Sequence, residues 1–355
     1  MSQTGIVIDG VTKRFGDFTA VDDLNVTFCD GETTCLLGPS GCGKTTLMRM
    51  IAGLETPTTG RIIIDGEDMT GMNPRRRNIG MVFQYPVMYP TLNVRNNITL
   101  PLKRDRSLSA ADRQKRVDAV LDVIDMADHA DAYIDELDAG SRQKVAVGRS
   151  VARQTKVVLF DEPTTNVEVN AKLTLIRTFK EISRHLKQTA IYVTHDQTEA
   201  MTLADKIALM KAGRIIQYDR PIALYQRPST AFGGWFLGNP GMNFIDVQRA
   251  DGKLSSPLFA APIEAPPSLG SGAVRVGIRP EQIIAKAEAF AGSVPAQIED
   301  NVIGIAGQML ARLNIAGQTI KLKTAALPDL DTRMEVHVAF PDEHLLIFED
   351  GNRLA

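Results

Sequence analysis

Short apolar runs alternate with helical patterns along the chain up to about residue 235. Four of these runs are apolar throughout, as buried strands of a parallel sheet are, and they lie at 34–37, 79–83, 157–160 and 190–193. Residues 93–130 differ, because apolar positions there recur at helical spacing among charged residues. The pattern predicts an α/β sheet with a helical insertion, which we place at about 86–155.

After residue 235 the pattern changes to alternation of apolar and polar positions. Val274, Val276 and Ile278 alternate with Arg and Gly, and 334–340 repeats the same period of two. This period is typical of strands with one buried face. We therefore predict two domains, an α/β domain over 1–235 and a β-rich domain over 236–355, which also suits a length of 355 residues.

Composition and charge exclude several classes of function. The chain has 40 Lys and Arg against 42 Asp and Glu, a net charge of −2. Binding to nucleic acid usually requires a basic excess, so it is disfavoured, and the one tight basic cluster, 75–77, is predicted to be a solvated loop. No apolar run reaches the 18 or so residues that cross a bilayer, and no signal segment begins the chain, so we expect it in the cytosol. Cys29, Cys35 and Cys42 lack metal-site spacing and are predicted to be reduced thiols.

The strongest chemical signal is a glycine-rich loop between a predicted strand and a predicted helix. It reads Gly38-Pro39-Ser40-Gly41-Cys42-Gly43-Lys44-Thr45, followed by Thr46, and matches the GxxxxGK[ST] pattern. In this pattern backbone N–H groups close around the phosphates, the lysine reaches the β- and γ-phosphate oxygens, and the following hydroxyl can hold Mg²⁺. The loop therefore predicts a nucleoside triphosphate as the ligand.

Two carboxylates follow the predicted strand at 157–160. Asp161 can hold magnesium, and Glu162 can polarise an attacking water as a general base. Two further candidates stand at the ends of other predicted strands: Gln84 as a ligand of Mg²⁺ and water, and His195 as a contact of the γ-phosphate. Taken alone, a strand that ends in two acids is often only a solvated edge, and a lone His or Gln at a strand end is more often structural. The glycine-rich loop favours the functional interpretation of Asp161 and Glu162.

Together these motifs resemble the ATP-binding subunits of ABC transporters, in particular the carbohydrate-importer branch with a C-terminal regulatory domain. The resemblance covers nearly the whole chain. Beyond the motifs above, it is carried by the turn at Phe15 and by the segments 194–200, 224–228, 238–244 and 276–281. It implies ATP and Mg²⁺ as cofactors and Phe15 as the aromatic residue that stacks on adenine.

The resemblance also implies partners. Two such ATPases close head to tail around two ATP molecules, each held by one subunit's glycine-rich loop and the other's signature helix. The implied partners are a second ABC ATPase subunit, two transmembrane permease subunits and an extracytoplasmic solute-binding protein, with no nucleic acid. Residues 85–97 resemble the surface that receives a short helix of the membrane subunit. The chain would then lie peripherally on the cytoplasmic face of the bacterial inner membrane, with 236–355 as an OB-like, barrel-like regulatory domain.

The signature motif departs from the family pattern. Where the family usually has Leu-Ser-Gly-Gly-Gln, this chain reads Leu137-Asp138-Ala139-Gly140-Ser141. A carboxylate about 4 Å from the γ-phosphate is repelled by about 4 kcal/mol per charge pair at an effective dielectric of 20. Asp138 could therefore impair a nucleotide site, cap a helix that begins near Ser141, or do both. Glu168 likewise stands where the family usually has Asp.

The departures affect only one of the two sites that the chain helps to form. We therefore expect a heterodimer with a second ATPase, in which the site on this glycine-rich loop is competent and the opposite site is impaired. The same departure, with 83–89 and 242–244, resembles one ATPase of the two-ATPase bacterial glycerol importers. The expected function is ATP hydrolysis that powers import of a small polyol or sugar, with glycerol as the leading cargo.

Three alternatives stay open. The chain could be a non-catalytic pseudo-ATPase within the same kind of transporter, a possibility that the degenerate signature favours and that Glu162 and His195 oppose. It could equally be the ATPase of a sugar or glycerol-phosphate importer. A soluble ABC-type ATPase acting on nucleic acid or ribosomes is a third reading, but such proteins commonly carry two ATPase units or a long coiled coil.

Overall fold

The computed structural model describes residues 5–105, 107–165, 167–186, 188–303, 308–324 and 334–354. Contacts divide the chain into two compact units, Met1–Pro221 and Ile222–Ala355. The strands of unit 1 are β1 (Gly5–Phe15), β2 (Phe18–Cys29), β3 (Thr33–Leu37), β4 (Thr59–Ile64), β5 (Glu67–Asp68), β6 (Ile79–Val82), β7 (Val157–Asp161), β8 (Thr189–Thr194), β9 (Lys206–Lys211) and β10 (Arg214–Asp219). Its helices are α1 (Lys44–Ala52), α2 (Val94–Thr99), α3 (Ala110–Val123), α4 (Ala139–Val151), α5 (Val169–Leu186) and α6 (Gln197–Leu203).

The central sheet of unit 1 has six strands in the order β10-β9-β3-β8-β7-β6. The pairs β3–β8, β3–β9, β7–β8 and β6–β7 are parallel, and β10 is antiparallel to β9. Strands β3, β6, β7 and β8 confirm the four predicted apolar runs, with each end within one residue of the prediction. Because parallel strands end at the same edge of a sheet, the loops after these four strands lie together, and ligands of such sheets bind at that edge.

A second sheet of unit 1 is antiparallel, in the order β2-β1-β4-β5. One hydrophobic core joins it to the central sheet through α1. Phe28 of β2, Leu47 and Met48 of α1 and Leu159 of β7 belong to this core and are fully buried. Helix α1, which follows the glycine-rich loop, is therefore fixed by core packing on its apolar side.

Residues 94–151 contain helices α2, α3 and α4 and confirm the helical insertion. Val117, Val120 and Leu121 form the buried side of α3, as their spacing predicts. Ser109 caps this helix by accepting a hydrogen bond from the Asp112 N–H at 3.1 Å.

The basic cluster at 75–77 is only partly a solvated loop. Arg75 and Arg76 are exposed, but Arg77 is buried, and its guanidinium donates to the carbonyl oxygens of Met50 at 2.7 Å and Ile51 at 2.8 Å. These carbonyls belong to the last turn of α1, whose carbonyl groups lack the i+4 partners of the helix interior, although Met50 also accepts the Gly53 N–H at 3.1 Å. The prediction was therefore wrong for Arg77, because its charge satisfies helix carbonyls rather than facing solvent.

Unit 2 contains β11 (Asn243–Asp246), β12 (Gln248–Ala250), β13 (Lys253–Ser255), β14 (Ile263–Glu264), β15 (Val274–Ile278), β16 (Ile284–Lys286), β17 (Val294–Ile303), β18 (Met309–Ile315), β19 (Gln318–Thr324), β20 (Glu335–Ala339), β21 (Leu346–Glu349) and β22 (Asn352–Arg353). They form three antiparallel sheets, in the orders β11-β15-β21-β22, β12-β13-β14 and β16-β20-β17-β18-β19. The β-rich prediction is confirmed. Among the described residues no pairing joins β16 to β19, so barrel closure and the OB-like assignment stay predictions.

The boundary between the units lies after Pro221 rather than at the predicted 235/236. Two short helices account for the difference, α7 (Pro221–Gln226), which begins at the boundary, and α8 (Ala231–Phe236). The buried Arg279, just after β15, donates to the carbonyl oxygens of Tyr225 at 2.7 Å and Gly234 at 2.8 Å. These hydrogen bonds from Arg279 therefore hold both helices to the rest of unit 2. Within the described ranges, no helix is both long enough and apolar enough to cross a membrane.

Candidate active site

The glycine-rich loop connects β3 to α1 and encloses a buried ammonium group. Lys44 is the first residue of α1, and its Nζ donates to the carbonyl oxygens of Gly38 at 2.8 Å and Pro39 at 2.9 Å. Gly43 has a φ of 102°, and a Cβ there would lie 2.4 Å from the Ala20 carbonyl oxygen. Only glycine fits this position. A cation beside a helix N-terminus is an arrangement that binds phosphate.

The other predicted loop residues lie around this ammonium group. Thr45 and Thr46 are half-buried in the first turn of α1, whereas Ser40 and Gly41 are exposed. The Cys42 thiol is buried, its Sγ is 3.9 Å from the Lys44 Nζ, and burial raises its pKa. Cys42 is therefore a neutral part of the loop at physiological pH.

Asp161 ends β7 at the edge of the central sheet. Its carboxylate is half-buried and accepts no hydrogen bond from any described residue. Burial raises the pKa of Asp161, Arg49 lowers it, and the neighbouring Glu162 charge raises it. A carboxylate without hydrogen-bond donors has free lone pairs, as a metal ligand requires.

Glu162 takes a backbone conformation that few side chains adopt. Its φ is 44°, in the left-handed region that costs a non-glycine residue about 1–2 kcal/mol. Its N–H donates to the Val193 carbonyl oxygen of β8 at 3.1 Å, which holds the strained turn in place. Strain of this kind concentrates at functional positions.

Glu162 and His195 form a pair across the ends of β7 and β8. The His195 Nδ1 lies 3.3 Å from the Glu162 Oε2, and the Thr165 hydroxyl lies at the same distance from that oxygen. The His195 side chain is 55% exposed and that of Glu162 22%. With Nδ1 directed to Glu162, the other ring nitrogen of His195 is left for a further partner.

Gln84 lies in a small cavity between two loops and the start of α4. The cavity has a volume of about 260 Å³ and is lined by Gln84, Tyr85, Pro86, Ala139, Arg142, Gln143, Pro163 and Val167. It brings Gln84 to the start of α4 and to Pro163, the neighbour of Glu162. Gln143 is buried there, and its Nε2 has no hydrogen-bond partner among the described residues.

Asp138 caps helix α4. Its Oδ1 accepts a hydrogen bond from the Ser141 N–H at 2.6 Å, and the helix begins at Ala139, two residues before the predicted start. The hydrogen bond from the Ser141 backbone lowers the pKa of Asp138, against a smaller opposing effect of burial. The capping interpretation is confirmed, and Asp138 is ionised at neutral pH. Gly140 and Ser141 form the first turn of the same helix.

Phe15 lies at the turn between β1 and β2. Its ring is 47% exposed, and the Lys13 Nζ lies 4.7 Å from the ring centroid. The following strand passes the glycine-rich loop, because Ala20 of β2 contacts Gly43. Stacking on adenine stays a prediction. Glu168 is exposed just before α5, and the preceding Asn166 lies outside the described residues.

One buried carboxylate near the Glu162–His195 pair was not predicted from the sequence. Glu199 of α6 is 2% exposed. It accepts hydrogen bonds from the hydroxyls of Thr164, two residues after Glu162, and Thr194, directly before His195. The spacing of Asp196 and Glu199 matches a capping box, which indicates a helix start. That signal predicts the helix but does not predict that the carboxylate is buried.

Comparison with known proteins agrees with this geometry. The sequence model of the family described as ABC transporter matches residues 21–165. The "sn-glycerol-3-phosphate import ATP-binding protein UgpC 3" of Rhizobium etli is 36% identical over 352 residues, which is 98% of this chain and 99% of the relative. The chain belongs to the ABC transporter ATP-binding proteins. It is therefore an ATP-binding ABC ATPase, with a P-loop domain, a helical subdomain and a β-rich C-terminal unit.

Other relatives of this ABC ATPase are also named for import. The "Fe(3+) ions import ATP-binding protein FbpC" of Photobacterium profundum is 38% identical over 80% of each chain. The "Xylose/arabinose import ATP-binding protein XacJ" of Haloferax volcanii is 40% identical over 73% of this chain and 68% of the relative. The dimeric ATP-binding cassette MJ0796, solved in a post-hydrolysis state with ADP and Pi, is similar with a TM-score of 0.54 and 26% identity, covering 61% of this chain and 98% of that one. The chain is thus the ATP-binding subunit of an ABC importer.

Proposed function

We propose that this ABC ATPase powers the import of a small polyol or sugar, with glycerol as the leading cargo, as a heterodimer with a second ATPase. The observation that carries the proposal is an asymmetry. Lys44 and the Glu162–His195 pair have the geometry of a competent site, whereas the start of α4 carries the ionised Asp138. Two copies of this chain would place Asp138 at both sites.

In the competent site the chain's own residues bind ATP and activate the attacking water. Lys44 holds the β- and γ-phosphate oxygens of ATP, and Phe15 stacks on adenine. Glu162 accepts the proton of the attacking water, and His195 contacts the γ-phosphate through the nitrogen that does not face Glu162. Support comes from the 3.3 Å contact between His195 and Glu162 and from the buried position of Lys44.

Thr45, Gln84 and Asp161 are the proposed Mg²⁺ ligands. Their hydroxyl, amide and carboxylate oxygens are the hard donors that this ion prefers, and the Asp161 carboxylate is free of other donors. When bound, Mg²⁺ neutralises charge that develops on the phosphate oxygens.

In the opposite site Asp138 would stand near the γ-phosphate of an ATP held by the partner. Ala139, Gly140 and Ser141 complete this degenerate signature. Repulsion at about 4 Å would reach about 4 kcal/mol at an effective dielectric of 20 and less where solvent and ions screen it. The capping hydrogen bond keeps Asp138 charged, so the repulsion persists at neutral pH.

We infer the cargo and the other partners from what the relatives are named for. The Rhizobium etli relative is named for sn-glycerol-3-phosphate and the Haloferax volcanii relative for xylose and arabinose. The Photobacterium profundum relative is named for Fe(3+) but matches only 80% of each chain, whereas the Rhizobium etli relative matches nearly the full length of both, which favours a polyol, sugar or sugar phosphate. We further propose two membrane permease subunits and an extracytoplasmic solute-binding protein as partners, and a position on the cytoplasmic face of the membrane. A homodimeric glycerol-phosphate or sugar importer ATPase is the second candidate, favoured by the full-length Rhizobium etli match.

ATP hydrolysis by the purified chain, alone and with its permeases and a second ATPase, tests the proposal. We expect weak hydrolysis alone and a gain of about tenfold or more in the assembly, because only the assembly supplies a sound signature helix. Robust hydrolysis by the chain alone would contradict the heterodimer and favour the second candidate. Uptake of glycerol, glycerol 3-phosphate and xylose by the assembly then identifies the cargo.

A further inference from the structure

Glu199 is a buried carboxylate shared by the two loops that carry Glu162 and His195. Its Oε2 accepts a hydrogen bond from the Thr194 hydroxyl at 2.6 Å, and its Oε1 accepts one from the Thr164 hydroxyl. Thr194 is the last residue of β8 and directly precedes His195. Thr164 follows Glu162 by two residues.

A third element completes the surroundings of this carboxylate. The Lys172 ammonium of α5 lies 2.8 Å from the Glu199 Oε1 and 2.8 Å from the Asp196 Oδ2. The Tyr192 hydroxyl donates to the Glu199 Oε2 at 3.3 Å. A buried carboxylate with three hydroxyl donors and a cation is fully satisfied, so its position is strongly specified.

The network offers a reason for the geometry of the Glu162–His195 pair. Glu162 and His195 are both loop residues, and the His195 side chain is more than half exposed. The strained backbone of Glu162 also needs support from its surroundings. One backbone hydrogen bond, from Glu162 to Val193, connects the two strands at this level. Glu199 adds a second connection, because each of its oxygens accepts a hydroxyl from one of the two loops.

We propose that Glu199 is a positioning residue for ATP hydrolysis, which fixes the separation of Glu162 and His195 through Thr164 and Thr194. In this role Glu199 acts on the site through these two loops, by the hydrogen bonds that it accepts from Thr164 and Thr194. The proposal rests on the proposed function, since it takes Glu162 as the base and His195 as the γ-phosphate contact. Misplacement of such groups lowers the rate of the chemical step while ATP binding by Lys44 is retained.

Steady-state ATP hydrolysis by the assembled importer tests this role. Glu199→Gln keeps the size of the side chain but replaces one acceptor oxygen with a donor. We expect kcat to fall about tenfold or more while the KM for ATP stays within about twofold. Thr164→Val and Thr194→Val each remove one hydroxyl donor and should show smaller falls in kcat with the same unchanged KM. These two variants keep the test valid if Glu199→Gln folds poorly.

A purely structural role of Glu199 predicts a different pattern of turnover among the variants. Glu281→Gln is the matched control, because Glu281 accepts a hydrogen bond from Tyr225 at 2.6 Å in unit 2, and it should leave kcat unchanged. In single-turnover assays on a Glu162→Gln background, Glu199→Gln should add no further loss. Wild-type kcat in Glu199→Gln, or an equal further loss on the Glu162→Gln background, would overturn the positioning role. Wild-type turnover of Glu162→Gln itself would overturn the proposed base and the positioning role together.

Discussion

At the scale of single residues, Asp161 is a carboxylate whose charge is unfavourable in the folded chain. Burial raises its pKa, so the folded state binds its proton more tightly than the unfolded state does. The free energy of unfolding therefore falls as the pH rises through the interval between the two pKa values.

Asp161→Asn should accordingly raise the thermal midpoint of the nucleotide-free chain at pH 7, with a gain that disappears at acidic pH. It should also abolish the additional stabilisation that MgATP gives over ATP without metal. Thermal unfolding with and without MgATP measures both effects. Asp131→Asn, at an exposed position, is the control and should change stability by less than about 0.5 kcal/mol. A lower midpoint for Asp161→Asn would contradict the assigned burial cost.

The charge of Asp138 leads to a second prediction at this scale. Its lowered pKa keeps the carboxylate ionised well below neutral pH, so the impairment of its site should be the same at pH 6 and pH 8. Asp138→Asn removes the charge and should tighten ATP-dependent closure of the two ATPases about tenfold, or about 1.4 kcal/mol. Closure is measured as ATP-dependent association. Relief of the wild-type defect between pH 8 and pH 6 would contradict this account.

Glu199 and Arg77 show why some residues were not predicted from the sequence. Each is a charged residue, a type that is usually exposed to solvent. The structure buries both, because distant parts of the chain supply partners: the Thr164 hydroxyl for Glu199, beside that of the nearby Thr194, and carbonyls of α1 for Arg77. The local sequence does not record the long-range part of this pairing.

At the scale of elements, the buried strands are the best-predicted part of the chain. β3, β7 and β8 are buried along nearly their whole length, and each contains a short apolar run followed by a helix, so the local pattern predicts them. The glycine-rich loop is equally well predicted, since Gly43 needs both a left-handed φ and close approach to Ala20. The boundary between the two units was not predicted. It depends on hydrogen bonds that the Arg279 guanidinium donates to the carbonyls of Tyr225 in α7 and Gly234 in α8.

Helix α4 gives a prediction that separates the two roles of Asp138. Asp138→Ala removes the acceptor for the Ser141 N–H and should lower the free energy of unfolding by about 1 kcal/mol. Asp138→Asn and Asp138→Ser retain a capping oxygen and should cost no more than a few tenths. Chemical denaturation of the full chain measures these differences. Equal losses in all three variants would contradict the capping role.

Arg279 should be the main attachment of α7 and α8 to their unit. Its guanidinium donates to the carbonyls of Tyr225, Gly234 and Leu237 and is 2% exposed. Arg279→Lys cannot reproduce this fork and should destabilise unit 2 by about 2–3 kcal/mol.

Trp235 is the only tryptophan of the chain and lies on α8, so its fluorescence during urea unfolding reports on this attachment. Arg312→Lys is the control, because Arg312 is exposed on β18 in a surface ion pair with Asp300, and it should change stability by less than about 0.5 kcal/mol. An Arg279→Lys unfolding curve that coincides with the control would contradict the role of Arg279.

At the scale of the whole molecule, the chain combines one set of proposed hydrolytic residues with one altered signature. The proposed set consists of Lys44, Asp161, Glu162 and His195, all at the carboxyl edge of the central sheet. The altered signature begins at Asp138, on the helical insertion. A subunit of this kind contributes differently to the two sites of an ATPase pair, which is why we propose a different partner for it.

We propose that the site on this chain's glycine-rich loop carries most of the turnover. ATP hydrolysis by the assembled importer with Glu162→Gln in this chain alone tests this proposal, with ATP binding measured in parallel. We predict a loss of about a hundredfold or more in turnover, because the general base is removed, with ATP binding retained. Turnover equal to that of the wild-type assembly would show that the other site performs the hydrolysis and would contradict the account.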